Sequence, residues 1–260
     1  MSRTTFLYQA HAVGITGHIS LPVVDVLPVQ ASLASGIGET FGKVRVDKFK
    51  HLDYLSVGAI ESHIVTSYSG KDKAHGTLAS VIIEDLCTLH VVTCDRMVNR
   101  LTSKHKKDAS EPAAFILHGT RFEGLRIAGH DLPLNLAVGL LSELSTWEEL
   151  NSKYETDPAI RRELQELSLY PAEGNKLPVH NGVFACTLAH IPNVLPRGLK
   201  RVEGQGIYVP HFGTVYLAQY YITPVSRSLR MMHVDLGCSV EGCNSYGDTN
   251  GSGSPLPGNA

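Results

Sequence analysis

Twenty-five consecutive residues, Thr77 to Leu101, contain neither glycine nor proline and are rich in Val, Ile, Leu and Thr. β-Branched side chains favour a pleated, half-buried surface over a helix. Strands usually run about 3–10 residues, so this stretch reads as two strands broken near Glu84 and Asp85. Upstream, residues 57–69 form another strand. The turn "SGKDKA" joins it to 77–83 as a hairpin whose paired positions sum to about 142–144.

The same grammar covers most of the chain. In residues 7–21, Leu7, His11, Val13, Ile15, Ile19 and Leu21 fall on one face, and Tyr8, Ala10, Ala12, Gly14, Thr16, His18 and Ser20 on the other. This predicts a long half-buried strand with the small residues outside. A Pro- and Gly-punctuated stretch, 22–42, precedes the strand-like "KVRVDKF". Short strands are expected at 113–118, 121–127 and 132–138, and again at 183–190, 199–202, 207–209, 214–223 and 228–236. Between these groups, "STWEEL" reads as a capping box, Ser145 capping and Glu148 reaching back. "DPAIRRELQEL" starts a second helix with Asp157 as cap and Pro158 in its first turn. The expected fold is mainly β, an antiparallel sandwich or strongly curved sheet, with one helical hairpin inserted at about 145–168. Residues 1–243 read as a single β-rich domain. The last stretch, "NSYGDTNGSGSPLPGNA", has almost nothing apolar to bury and reads as a flexible Gly/Ser/Pro tail over 244–260.

Composition narrows the functions. Charged residues make up 18%, the net charge is −2, and the one basic cluster, "KHKK" at 104–107, reads as a solvated loop. Duplex binding needs an extended cationic face, so no nucleic-acid partner is expected. No apolar run approaches the ~18 residues of a membrane span. The N-terminal stretch alternates where a signal peptide would be continuous. A soluble, cytoplasmic protein is expected, with export lacking a cleaved signal, or a cell-surface location, left open. Of the five cysteines, Cys87, Cys94 and Cys186 sit in apolar stretches and read as buried thiols. Cys238 and Cys243 lie near turn residues and form a possible disulfide.

The thirteen histidines invite a metal reading, above all His51, His63 and His75, spaced twelve and twelve. In the hairpin register His75 faces residue 67, 68 or 69, leaving His63 four to six residues, or ~13–20 Å, along the strand. Imidazoles so far apart cannot share an ion that binds each at about 2.1 Å. "GIGETFGK" (Gly36–Lys43) fails as a phosphate loop, because its glycine spacings are wrong and Val44 stands where Ser or Thr is required. His233 with Cys238 and Cys243 offers three zinc ligands where a structural site needs four. No metal or cofactor is expected.

One constellation remains. Pairing 214–223 with 228–236 through "TPVSRS", at a sum of about 451, puts His233 opposite Ala218, Asp235 opposite Tyr216 and Met231 opposite Tyr220 on one face. His233 and Asp235 are two apart, so the carboxylate can orient the imidazole. The two tyrosines could stack on a flat or sugar-like ligand. Three functions follow. The first is a non-enzymatic structural or interaction protein that assembles with copies of itself through strand edges. The second is a binding module for a small apolar or aromatic ligand, held between the Tyr/Met face and the helical hairpin. The third is a hydrolase or isomerase using His233 and Asp235.

Overall fold

The computed structural model describes residues 6–21, 24–106, 113–172, 174–237 and 240–255. Six long strands come first: β1 (Phe6–Leu21), β2 (Asp25–Ala34), β3 (Phe41–His51), β4 (Leu55–Ser69), β5 (Ala74–Thr88) and β6 (Val92–Lys106). Short ones follow: β7 (Ala114–Leu117), β8 (Arg121–Glu123), β9 (Arg126–Ile127), β10 (His130–Asp131) and β11 (Asn135–Leu136). Helices α1 (Val138–Glu143), α2 (Trp147–Thr156) and α3 (Pro158–Leu167) separate these from β12 (Val179–His180), β13 (Val183–Thr187) and β14 (Ala189–His190). The chain ends in β15 (Lys200–Val202), β16 (Gly206–Val209), β17 (Gly213–Ile222), β18 (Arg227–Gly237) and β19 (Glu241–Pro255).

All the strands but β11 and β14, which pair with each other, form two antiparallel layers. One runs β12-β13-β17-β18-β19-β1-β2, with β16 also on β17. The other runs β10-β9-β6-β5-β4-β3, with β7 and β8 also on β6. Their inner faces share one core, from Ile15, Leu217 and Met232 on the first layer to Ile60, Val81 and Met97 on the second. The mainly β architecture with a small helical insertion is therefore as expected. The β4–β5 hairpin pairs Thr66 with Thr77, a sum of 143.

Other details differ. Residues 244–255, read as tail, belong to β19, which pairs β1 on one side and β18 on the other. Its small polar residues suit a tightly packed place: a Cβ on Gly251 would lie 3.6 Å from Ser103 of the facing layer, and one on Gly253 2.6 Å from the Phe6 ring on the neighbouring strand. The break expected near Glu84 falls instead at 89–91, where Leu89 and His90 both take positive φ (51° and 56°) without the glycine that usually announces it. The 22–42 stretch contains β2. The α2 capping box uses Thr146 and Glu149, one residue beyond the expected pair, while Asp157 and Pro158 start α3 as read. The expected 132–138 strand shrinks to β11, and a further helix, α1, begins at its last residue, Val138. Lys104, His105 and Lys106 extend β6 instead of forming a loop, and Lys107 lies outside the described residues.

Both layers carry a crease. In the first, Ala31, Gly14, Gly247, Met231 and Ala218 lie side by side on five adjacent strands and drop out of the pairing. Alternate members have positive φ: Ala31 at 49°, Gly247 at 65° and Ala218 at 48°. In the second, Lys48 (φ 52°), Gly58, Asp85 (φ 53°), Asp95 and Gly124 (φ 62°) repeat the pattern. A left-handed residue turns the following side chains to the other face, as a bulge does. β1, whose Gly14 lies between the left-handed Ala31 and Gly247 of its neighbours, changes face with them: Tyr8, Ala10 and Ala12 are buried before Gly14, and Ile15 and Ile19 after it. The expected single-face alternation of residues 7–21 fails for this reason. Leu7, His11 and Val13 point outward.

One end of the sandwich holds a polar cluster. Tyr8 Oη lies 2.8 Å from His75 Nδ1, Phe6 stacks on His75 at 4.1 Å, and His105 Nε2 lies 3.2 Å from Ser103 Oγ. Burial, and then His75, push the His105 pKa down to about 4. An unfolded imidazole near 6.5 binds more protons than the folded one between about pH 6.5 and 4, so stability falls as pH drops through that window. The whole effect is about 3 kcal/mol. Urea denaturation at a series of pH values should show this slope in the native protein and a shallower one in His105→Leu.

Candidate functional site

The outer face of the first layer gathers the polar and aromatic side chains that the core rejects. The β17–β18 register sums to 449, so Tyr216 pairs with His233 and Asp235 with Thr214. The two-residue difference arises because Thr223 N donates to Ser226 O and closes a tight turn. Left-handed Ala218 then splits the expected set. Tyr216, His233 and Asp235 face outward, whereas Tyr220 and Met231 are fully buried in the core. The same turn brings Gln219 and Tyr221, of opposite parity to Tyr216, onto the outer face beside it.

His233 Nε2 donates to Asp235 Oδ1 at 2.8 Å, which leaves Nδ1 to accept from Ser245 Oγ at 3.2 Å. Burial lowers the His233 pKa, with Asp235 opposing. This is a Ser–His–Asp relay, and Ser245 was illegible because its strand was read as tail. Acyl transfer also needs amide donors for the oxyanion. β19 is paired on both sides, so the amides around Ser245 serve the ladder. Nearby, Cys243 Sγ lies 3.5 Å from His18 Nδ1. Cys238, the other half of the possible disulfide, lies outside the described residues.

The remaining histidine and cysteine readings resolve locally. His51 bonds Asp25 at 2.8 Å, His63 bonds Glu61 at 2.6 Å and His75 bonds Tyr8. Lys43, then His63, hold the Glu61 carboxyl down to about 2. Among the described residues no three His, Cys, Asp or Glu side chains are placed to share a metal ion. Cys94 and Cys186 are buried, and burial pushes the Cys94 thiol up to about 11; Cys87 is partly exposed.

Beside the relay lies an open cleft of about 820 Å³. Tyr216, Gln219 and Tyr221 form its β17 side, and Tyr170 and Pro171, after α3, form the opposite side with Gln165. Each wall is fixed. A Cβ on Gly206 would lie 2.8 Å from Tyr216 Cε1, so only glycine lets the ring lie on β16. Ser168 bridges to Cys186, Leu169 N donates to Ala185 O at 2.9 Å, and Ser168 Oγ accepts from Tyr170 N at 3.2 Å, which ties Tyr170 to the β13 edge. The turn at Glu203–Gln205 closes one end, its Gln205 amide donating to the Glu166 and Ser168 carbonyls at 3.0 and 3.5 Å. Gln219 is 8% exposed, and its Oε1 has no hydrogen-bond partner among the described residues. Of this cleft, sequence reading found only Tyr216.

Fold and site together define a two-layer antiparallel β protein with an aromatic cleft on one outer face. A family model described as a domain of unknown function, DUF8256, matches residues 6–171, and the chain belongs to that family. The match includes Tyr170 and Pro171 but stops short of β17. No curated protein and no solved structure matches the chain. No helix among the described residues is long and apolar enough to cross a membrane.

Proposed function

We propose that the protein is a binding module that takes a small ligand in the cleft between β17 and the segment after α3. The observation that supports this reading is one cleft of about 820 Å³ with three tyrosines drawn from two separate elements. Ligand sites are typically concavities of about 300–1,000 Å³ with aromatic walls and a few placed polar groups. Self-assembly through strand edges has less in its favour. The edge strands β2 and β3 are stitched together by Asp25 and His51. β2 carries Pro28, which has no N–H, and the left-handed Ala31, while β3 carries Lys43, Arg45, Lys48 and Lys50. Such features oppose the addition of a further strand.

A thermal-shift screen spanning saccharides, nucleosides, planar aromatics, lipids and quaternary amines tests the reading. At least one class should raise Tm, and Tyr216→Ala/Tyr221→Ala should lower its affinity about tenfold or more. Both rings are partly exposed, so the double variant should keep a Tm near that of the parent. If no class shifts Tm, the reading is wrong.

A further inference from the structure

The cleft's polar inventory narrows the chemistry of its occupant. We infer that the ligand is a neutral, hydroxyl-rich saccharide of more than one ring; this rests on the binding reading above. Gln219 is the central observation: it lines the cleft, and its Oε1, buried just beneath the surface, has no hydrogen-bond partner among the described residues, so a turn of the amide brings it to an occupant. A buried polar atom left unpaired is costly, so the occupant that fits best brings a hydrogen-bond donor to it. Gln165 adds to this: one N–H of its amide donates to Tyr154 Oη at 3.2 Å, which leaves its oxygen and its second N–H for the cleft. Glu203, on the rim, adds a carboxylate that only accepts.

The described lining of the larger cleft contains no Lys, Arg or His, so phosphates, sulfates and carboxylates find no counter-charge there; Lys176 and His180 line only the second cleft. A quaternary ammonium would suit tyrosine faces and Glu203 but has no N–H for Gln219. An apolar aromatic would also leave Gln219 unpaired. A sugar ring meets both demands, its C–H face on tyrosine and its hydroxyls to the acceptors. Length follows from a second cleft of about 430 Å³ that shares Tyr170 and Pro171 with the first and continues past Pro178 to His180. Tyr170 and His180 lie 5.3 Å apart at this junction, so the groove runs on beyond a single ring.

Calorimetric titration of the full chain decides the matter. The probes are neutral tri- to hexasaccharides of glucose, mannose, galactose and N-acetylglucosamine, with choline, indole and a sulfated hexasaccharide as separate arms. At least one neutral oligosaccharide should bind, more tightly as a trisaccharide or longer than as the monosaccharide. Gln219→Leu and Tyr221→Ala should each weaken it about tenfold, and the partly exposed Tyr221 keeps the test valid if the buried change disturbs folding. Binding of choline, indole or the sulfated sugar without any neutral saccharide overturns the saccharide inference and leaves the cleft reading standing. Saccharide binding that neither variant weakens places the site elsewhere and overturns both. Silence in every arm also overturns both.

Discussion

Replacing Asn99 with alanine is expected to destabilise the protein by about 3–5 kcal/mol. Asn99 is fully buried on β6, yet its amide reaches across the core to the other layer. Its nitrogen donates to Leu229 O at 2.9 Å and Gly247 O at 2.6 Å, while its oxygen accepts from Thr249 Oγ1 at 2.9 Å. Gly247 belongs to the crease, where the regular ladder is interrupted, so Asn99 supplies a donor that the sheet does not. Alanine would leave two carbonyls and a hydroxyl without these partners where water does not reach, and each group left wholly unpaired costs about 1–3 kcal/mol. Asn99→Asp should be no better, because an ionised carboxylate cannot donate to the two carbonyls. Urea denaturation followed by circular dichroism measures the change. A loss below about 1 kcal/mol for Asn99→Ala would mean that the bridge carries little weight.

The second large effect is expected at Gly14. A Cβ there would lie 2.3 Å from Ile60 Cγ2 on the facing layer and 2.9 Å from the Gln30 carbonyl on the neighbouring strand. Neither can yield cheaply, since Ile60 is wholly buried and Gln30 O is backbone. Overpacking a dense core costs about 1–3 kcal/mol, so Gly14→Ala should sit at the top of that range and Gly14→Val beyond it, with little soluble folded protein. The clash with Ile60 can be isolated. In Gly14→Ala/Ile60→Ala the penalties should fall short of additive by about 1 kcal/mol or more. Strict additivity would show that the two layers do not meet at this point.

Much of the fold was legible, for reasons that also explain what was not. β4 and β5 could be paired because a polar turn and two apolar runs fix one register, with Thr66 opposite Thr77. α3 could be placed because Asp157 and Pro158 satisfy and spare the free amides of its first turn. β19 was illegible because strand signals come from apolar alternation, and this strand fits its tight position by having small residues. Faces were illegible beyond each crease, since Ala31, Lys48, Asp85 and Ala218 adopt positive φ without announcing it. That single blind spot misplaced Tyr220 and Met231 and hid Gln219 and Tyr221. Tyr170 was out of reach for a different reason: it joins the cleft through contacts between segments distant in sequence.

Because five neighbouring strands in the first layer and four in the second reverse their facing along one common line, the length of every strand is tied to that of its neighbours. Gaining or losing one residue in β1 or β18 would throw half of that strand out of phase and leave the other half in step. Among relatives, changes in chain length should therefore gather in connections such as 70–73 and 223–226, and the stretches that cross the line should keep a constant residue count.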